Sequence, residues 1–280
     1  MTWRNSRDSA LSFDAHILVV EDNPVNQEVV TGILENMECR VTTAANGKFA
    51  VERFAAGMFD LVLMDCEMPV MDGFDAARRV RDIEAGAADG SKRTPIIALT
   101  AHALAEIREK CLRSGMDDFL AKPFDELQLG ERLRRWIPAL ERASRINTAP
   151  RGAAEAPASD PEAIIDFEAI NRIRAIPGKN GASLFGRVVS QFGETAPPLA
   201  SAIRAHCEGQ DPDAVWRAAH SLKSSAAAVG AARVSRLCAE IEASARGQGA
   251  IPDTRVLDTL DTDLIAVQAR LKELAGGEYV

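Results

Sequence analysis

The first half of the chain alternates short apolar runs with amphipathic stretches. Runs at 17–20, 61–64 and 96–99 are apolar throughout, as expected for strands that are buried on both faces of a parallel sheet. Weaker strand candidates lie at 41–44 and 118–121. This alternation predicts an α/β fold, a doubly wound five-stranded parallel sheet. The intervening helices are predicted to begin at Pro24 and to cover 48–56, 74–84, 104–113 and 124–136.

The second half of the chain has no strand pattern. Its apolar positions recur at helical spacing, as in the stripe that runs from Val215 to Val229. The pattern predicts an all-α domain in which helices pack as a bundle. The predicted helices are 166–176, 183–193, 198–207, 213–229, 232–245 and 253–274.

A change of composition separates the two halves. Residues 141–161 are rich in Ala, Pro, Gly, Ser and charge and show no periodicity, which is typical of a flexible linker. We therefore expect a first domain at 15–140, a linker at 141–161 and a second domain at 162–276.

Composition limits the classes of protein to consider. Of the 280 residues, 46% are hydrophobic and 26% are charged, and no apolar run is long enough for a membrane helix. The net charge of −8 argues against nonspecific binding to nucleic acid or to anionic lipid. The five cysteines are scattered without a CxxC pair, so neither a disulfide framework nor a zinc site is expected. These features favour a cytoplasmic protein without direct membrane insertion.

Carboxylates follow two of the predicted strands directly. Glu21 and Asp22 come after the run at 17–20, and Asp65 comes after the run at 61–64. Because the carboxyl ends of parallel strands meet at one edge of the sheet, these acids should lie close together, where their mutual repulsion is unfavourable. A hard divalent cation relieves that repulsion, and Mg²⁺ suits a site with few carboxylates.

Two further polar residues are expected at the same edge. Thr100 ends the fourth predicted strand and Lys122 ends the fifth. A hydroxyl, an ammonium and a metal around one carboxylate are what phosphoryl transfer to that carboxylate requires. By itself, an acidic pair after a strand is more often part of a loop or a helix cap. The presence of these residue types together at successive strand ends is what favours a site for phosphoryl transfer.

Four segments of the first domain carry a family resemblance. The motifs ILVVEDN (17–23), LVLMDCEMPVMDG (61–73), IIALTA (96–101) and DFLAKPF (118–124) resemble those of response-regulator receiver domains, with every signature position present. The resemblance implies a flavodoxin-like fold. It also implies that Asp65 accepts the phosphoryl group as an acyl phosphate.

The resemblance assigns the remaining site residues as well. It implies that Mg²⁺ is held directly by Asp22 and Asp65, through water by Glu21, and by the backbone carbonyl of Glu67. Thr100 and Lys122 would contact the phosphoryl oxygens, and the bond from Lys122 to Pro123 would be cis. Thr100 and Phe119 are the implied switch residues, and Phe119 has no hydroxyl, so its switching would depend on packing.

A histidine in the second domain has neighbours that suit a nucleophile. His220 lies within the predicted helix 213–229, with Lys223 and Ser224 on the same helical face. Neutral imidazole is nucleophilic near pH 7, and a nearby lysine offsets phosphoryl charge. The motifs AHSLKSSAAAVGA (219–231) and LCAEIE (237–242) resemble the histidine phosphotransfer (HPt) domain, which implies a four-helix bundle with His220 exposed and phosphorylated, and close helix approach at Gly230.

Together these resemblances predict a two-component phosphorelay intermediate. It would accept a phosphoryl group on Asp65 and carry one on His220, between a sensor histidine kinase and a downstream receiver. The sequence lacks glycine-rich nucleotide boxes, so no ATP-binding kinase domain is expected, and self-phosphorylation and autodephosphorylation of the receiver are the only enzymatic chemistry. The chain would be either a separate relay protein or the cytoplasmic tail of a membrane-bound hybrid kinase. Direct transfer from Asp65 to His220 within one chain is a hypothesis.

Two rival functions stay open at this point. A phosphate-independent signalling scaffold would leave the acids and the histidine without a chemical role. A Mg²⁺-dependent phosphatase with Asp65 as nucleophile would leave the helical domain unexplained.

Overall fold

In the computed structural model of the protein, the apolar runs of the first half form a parallel sheet. The five strands lie in the order β2-β1-β3-β4-β5, and every neighbouring pair is parallel. The three central strands are buried almost throughout, as their unbroken apolar character predicted. The strands are β1 (His16–Val20), β2 (Arg40–Ala44), β3 (Leu61–Asp65), β4 (Ile96–Thr100) and β5 (Asp118–Ala121).

Helices connect the strands, and short polar residues begin several of them. The Asn46 side chain accepts a hydrogen bond from the Phe49 N–H at the start of α2. Asp125 forms a reciprocal capping box with Gln128 at the start of α5. The helices of this unit are α1 (Pro24–Asn36), α2 (Gly47–Ala56), α3 (Gly73–Gly86), α4 (Ala105–Arg113) and α5 (Glu126–Trp136). The doubly wound α/β fold is confirmed.

One glycine fixes the path of the chain after β3. A Cβ on Gly73 would stand 2.0 Å from the backbone oxygen of Asp65, so only glycine allows α3 to begin this close to the end of the strand. The Gly73 N–H donates to the carbonyl of Cys66 at 3.1 Å. The loop between β3 and α3 therefore folds back over the end of β3.

The second half of the chain forms a separate helical unit. In it α8 packs on α7 and α9, α10 packs on α7 and α9, and the short α6 packs on α7. Gly230 (φ +74°) follows the end of α8, where a Cβ would lie 2.6 Å from the carbonyl oxygen of Asp166. The helices are α6 (Phe167–Arg174), α7 (Leu184–Glu208), α8 (Pro212–Ala228), α9 (Ala232–Gln248) and α10 (Thr254–Gly276).

The prediction of two helices at 183–193 and 198–207 is wrong, because α7 runs unbroken through Pro197 and Pro198. Prolines usually end a helix because they lack a donor for the carbonyl one turn earlier. Here the buried apolar face of α7 continues on both sides of the prolines. In addition, the Gln268 side chain of α10 donates to the carbonyl of Gly193, which Pro197 leaves without its helical donor. Packing and this replacement bond offset the cost of the prolines.

The structure describes residues 13–86, 93–101, 105–137, 163–176, 178 and 183–276. The predicted linker at 141–161 lies outside these residues. Within them, no helix is both long enough and apolar enough to cross a bilayer. All five cysteines lie within the described residues, are buried and form no disulfide.

Candidate functional site

The three predicted acids come together at the carboxyl edge of the sheet. One carboxylate oxygen from each of Glu21, Asp22 and Asp65 lies within 4.8 Å of the others. The register explains this closeness, because β1 and β3 are adjacent and Val20 pairs with Met64 immediately before the acids. Glu21 and Asp65 are buried, so water screens their charges poorly. The cluster consists of hard oxygen donors, and its donors and spacing fit a divalent cation such as Mg²⁺.

Lys122 reaches the same carboxylates from the end of β5. Its Nζ donates to Glu21 Oε2 at 2.5 Å and to Asp65 Oδ2 at 2.7 Å. Burial would lower the pKa of the Lys122 ammonium, but the charges of Asp65 and Glu21 outweigh burial and hold that pKa above its usual value. Lys122 is therefore a fixed cation beside the Asp65 carboxylate. Its bond to Pro123 is cis, as predicted.

The other predicted residues of this site surround Asp65 less directly. Thr100 is buried at the end of β4, one residue beyond Leu99, which pairs with Asp65. The Glu67 N–H donates to Asp65 Oδ1 at 3.3 Å, so its backbone faces the cluster. Phe119 packs against the hydrophobic core, with the Arg108 guanidinium 5.9 Å from its ring centroid. The structure thus brings Thr100 and Glu67 to the acidic edge and places Phe119 between the core and α4.

The predicted histidine lies on α8 of the helical unit and faces α9. His220 Nδ1 is 2.8 Å from Glu242 Oε1, and Lys223 Nζ donates to the other oxygen of the same carboxylate. The His220 side chain is only 18% exposed, so it is less accessible than the exposed position that the resemblance implied. Lys223 is thus held one helical turn from the imidazole, on the same face, as its spacing predicted.

Glu242 determines which nitrogen of the neutral His220 ring carries the proton. Burial would raise the pKa of the Glu242 carboxyl, but the hydrogen bonds from His220 and Lys223 lower it to about 2. The carboxylate is therefore ionised near neutral pH and only accepts, so Nδ1 of His220 carries the shared proton. Neutral imidazole then presents Nε2 with its lone pair.

Sequence reasoning missed the role of Glu242. One signal was present, because Glu242 has the helical spacing of the buried residues Cys238 and Ala245 on α9. A carboxylate on an apolar stripe needs a partner inside the protein. The identity of that partner depends on how α9 packs on α8, which the sequence does not state.

Comparisons with known proteins match both halves of the chain to known families. The response regulator receiver domain family matches residues 17–134, and the Hpt domain family matches residues 187–270. The histidine-protein kinase BarA of Escherichia coli (strain K12) is 32% identical over 82% of this chain, but the match spans only 24% of BarA. The chain therefore spans about a quarter of the length of this curated relative.

Solved structures match about 45% of the chain. One is the receiver domain of sensor histidine kinase PA1611 from Pseudomonas aeruginosa PAO1, crystallised with magnesium in its active-site cleft. It is 47% identical, the match covers 45% of this chain and 99% of that chain, and the TM-score is 0.41. A co-crystal of the Saccharomyces cerevisiae phosphotransfer protein Ypd1 with the receiver domain of Ssk1 matches at 30% identity, covering 45% and 90% of the two chains with a TM-score of 0.43.

The fold, the acidic edge with its lysine and the histidine on α8 define a protein of two-component signalling. The chain belongs to the proteins in which a response regulator receiver domain is followed by an Hpt domain, as in hybrid histidine kinases.

Proposed function

We propose that this chain is a phosphorelay intermediate that accepts a phosphoryl group on Asp65 and carries one on His220. The observation that supports this most strongly is the combination of Lys122 with three clustered carboxylates at the edge where Asp65 ends β3. The proposed receiver domain covers 15–140, the linker 141–161 and the Hpt domain 162–276, which enclose the ranges that the two family models match.

We assign the Mg²⁺ site to the cluster of Glu21, Asp22 and Asp65, with the Glu67 carbonyl as a further ligand. When bound, the ion would neutralise negative charge on the phosphoryl oxygens and on the carboxylates. The oxygen donors and their spacing of 4.8 Å or less support this assignment.

The residues of the acidic edge have separate tasks in the transfer. A carboxylate oxygen of Asp65 forms the new P–O bond as the P–N bond of a phosphohistidine breaks, and the imidazole leaves with the electron pair of that bond. Lys122, which already contacts Asp65 Oδ2, stabilises the charge on the phosphoryl oxygens. Thr100 would donate a hydrogen bond to the same oxygens. Thr100 and Phe119 would together act as the switch that couples phosphorylation to packing near α4.

The histidine site acts in the complementary way. His220 Nε2 attacks the phosphorus of an acyl phosphate, and a P–N bond forms as the P–O bond to the aspartyl oxygen breaks and the aspartate leaves as a carboxylate. Glu242 keeps the proton on Nδ1 and stabilises the cationic ring that forms. Lys223 offsets the charge of the phosphoryl group. The proposed partners are a sensor histidine kinase, or the remainder of a hybrid kinase, and a downstream receiver, and we place this exchange in the cytoplasm.

The two acceptors are tested by site-specific labelling. The full chain is incubated with acetyl phosphate and Mg²⁺, and phosphorylation is located by mass spectrometry under conditions that preserve acyl phosphate. We expect Asp65→Asn to abolish aspartyl labelling and EDTA to suppress it, while Asp82→Asn, at an exposed position on α3, labels as the wild type does. Labelling that persists in Asp65→Asn would contradict the assignment. For the second acceptor, His220→Gln should lose histidyl labelling by phosphoramidate and His206→Gln should keep it.

A further inference from the structure

Val70 is an exposed apolar residue in an unfavourable backbone conformation. It lies in the loop 68–72 after β3, with a φ of +71° and 80% of its surface exposed. The Met71 N–H donates to the carbonyl of Pro69 at 2.8 Å, so Val70 is the central residue of a γ-turn. Turns of this kind with positive φ are rare and strained, and β-branched residues rarely adopt positive φ. Neither the exposure nor the conformation favours valine for reasons of stability.

The residues around Val70 hold the turn in place. Met68 and Met71 pack against the hydrophobic core of the sheet. The Met71 carbonyl accepts a hydrogen bond from the Gly47 N–H at 3.1 Å, and a Cβ on Gly47 would lie 2.6 Å from that oxygen. Strain of this kind persists only where surrounding contacts hold the backbone in place, and it is commonest at functional sites. The turn therefore presents the Val70 side chain outward in a fixed position.

This tip belongs to the loop that surrounds the phosphoacceptor. Glu67, three residues earlier, donates its N–H to Asp65 Oδ1. A protein that brings a phosphohistidine in line with Asp65 has to cover this edge of the sheet. The His220 helix of this chain illustrates the surface that such a donor offers, because the small residues Ser221 and Ser224 lie beside the histidine, one next in sequence and one a helical turn later.

We propose that Val70 is a docking residue that packs against the histidine-bearing helix of a protein phosphodonor. This inference rests on the proposed function of Asp65 and adds a contact that a protein donor makes and a small phosphodonor does not. A preformed apolar contact of this kind costs little ordering on binding.

The test compares a protein donor with a small donor on the same acceptor. The acceptor is the full chain with His220→Gln, and the protein donor is a second full chain with Asp65→Asn, phosphorylated on His220 by phosphoramidate. The measured quantity is the rate of Asp65 labelling from this donor divided by the rate from acetyl phosphate. Asparagine tolerates positive φ and removes the apolar contact, so Val70→Asn in the acceptor should lower the ratio about tenfold. Val70→Leu, which stays apolar, should keep the ratio near that of the wild-type loop.

Met58 provides the matched control. It is 92% exposed and precedes β3, at the opposite edge of the sheet from Asp65, so Met58→Asn should leave the ratio unchanged. A Val70→Asn ratio equal to that of the wild-type loop, or an equal fall in Met58→Asn, would overturn the docking role while leaving the proposed function standing. A third outcome is that the acceptor with the wild-type loop is labelled by acetyl phosphate and not by the donor phosphorylated on His220. That result would overturn the proposed exchange itself, and this inference with it.

Discussion

Replacing Lys122 by methionine tests the electrostatics of the acidic edge. Lys122 Nζ bridges Glu21 and Asp65, whose side chains are only 1% and 10% exposed, while its own side chain is 16% exposed. Removing one partner from a buried ion pair costs about 3–5 kcal/mol because the remaining charges lose their compensation. The partial exposure of Lys122 and Asp65 places Lys122→Met near the lower limit, at about 3 kcal/mol, or roughly 10 °C in the melting temperature of the α/β unit.

Magnesium should reduce this deficit. A cation at Glu21, Asp22 and Asp65 stabilises both proteins, by about 2.7 kcal/mol at about 100 times the dissociation constant. The variant has no ammonium competing for these carboxylates and should bind the ion more tightly, and each tenfold gain in affinity over the wild type narrows the deficit by about 1.4 kcal/mol. Calorimetry of the full chain in EDTA and in millimolar Mg²⁺ measures both effects. Lys48→Met, at an exposed position on α2, is the control. A Lys122→Met deficit of the same size with and without Mg²⁺ would contradict compensation by the ion, and a variant as stable as the wild type in EDTA would contradict a stabilising role of the ion pair.

Further predictions concern the helical unit. Glu242→Gln should lower stability by about 1–2 kcal/mol at pH 7, after allowance for solvent screening. Because the pKa of Glu242 is depressed from 4.5 to about 2, its stabilisation is present above pH 4.5 and is lost as the pH falls towards 2. The urea midpoints of variant and wild type should therefore converge on acidification, and a constant difference between them would contradict this. Glu242→Gln should also slow phosphorylation of His220, because the cationic ring loses the carboxylate that stabilises it. The rate is measured with phosphoramidate near neutral pH, and an unchanged rate would show that Glu242 has no part in the transfer. Gly230→Ala combines positive φ with a close contact and should cost about 2–4 kcal/mol in urea unfolding. Gly193→Ala, where a Cβ meets no atom within 4 Å, should not destabilise the protein, and equal losses at both glycines would count against the explanation.

The pattern of apolar residues predicted the α/β fold well, because strands buried on both faces leave a direct mark in the sequence. The predicted strand at 61–64 ends one residue early, since Asp65 continues the strand although it is polar. The placement of Thr100 at the end of the fourth strand is correct. The closeness of Glu21, Asp22 and Asp65 also followed from the sequence, because parallel strands bring their carboxyl ends to one edge.

Features that depend on packing between elements were less accessible. The unbroken path of α7 through Pro197 needs the Gln268 side chain of another helix, which no local pattern reveals. The hydrogen bond from His220 to Glu242 depends in the same way on how α9 lies on α8. The strained turn at Val70 arises from the anchoring of Met71 in the core, which has no signature in the residue order.

Transfer between the two proposed acceptors is the most direct test of the relay. A full chain with His220→Gln is phosphorylated on Asp65 with acetyl phosphate, freed of the donor, and mixed with a full chain with Asp65→Asn. We expect acyl phosphate on the first chain to disappear while phosphohistidine appears at His220 of the second, and we expect EDTA to suppress the exchange. Loss of the acyl phosphate entirely to inorganic phosphate, with His220 unlabelled, would contradict it.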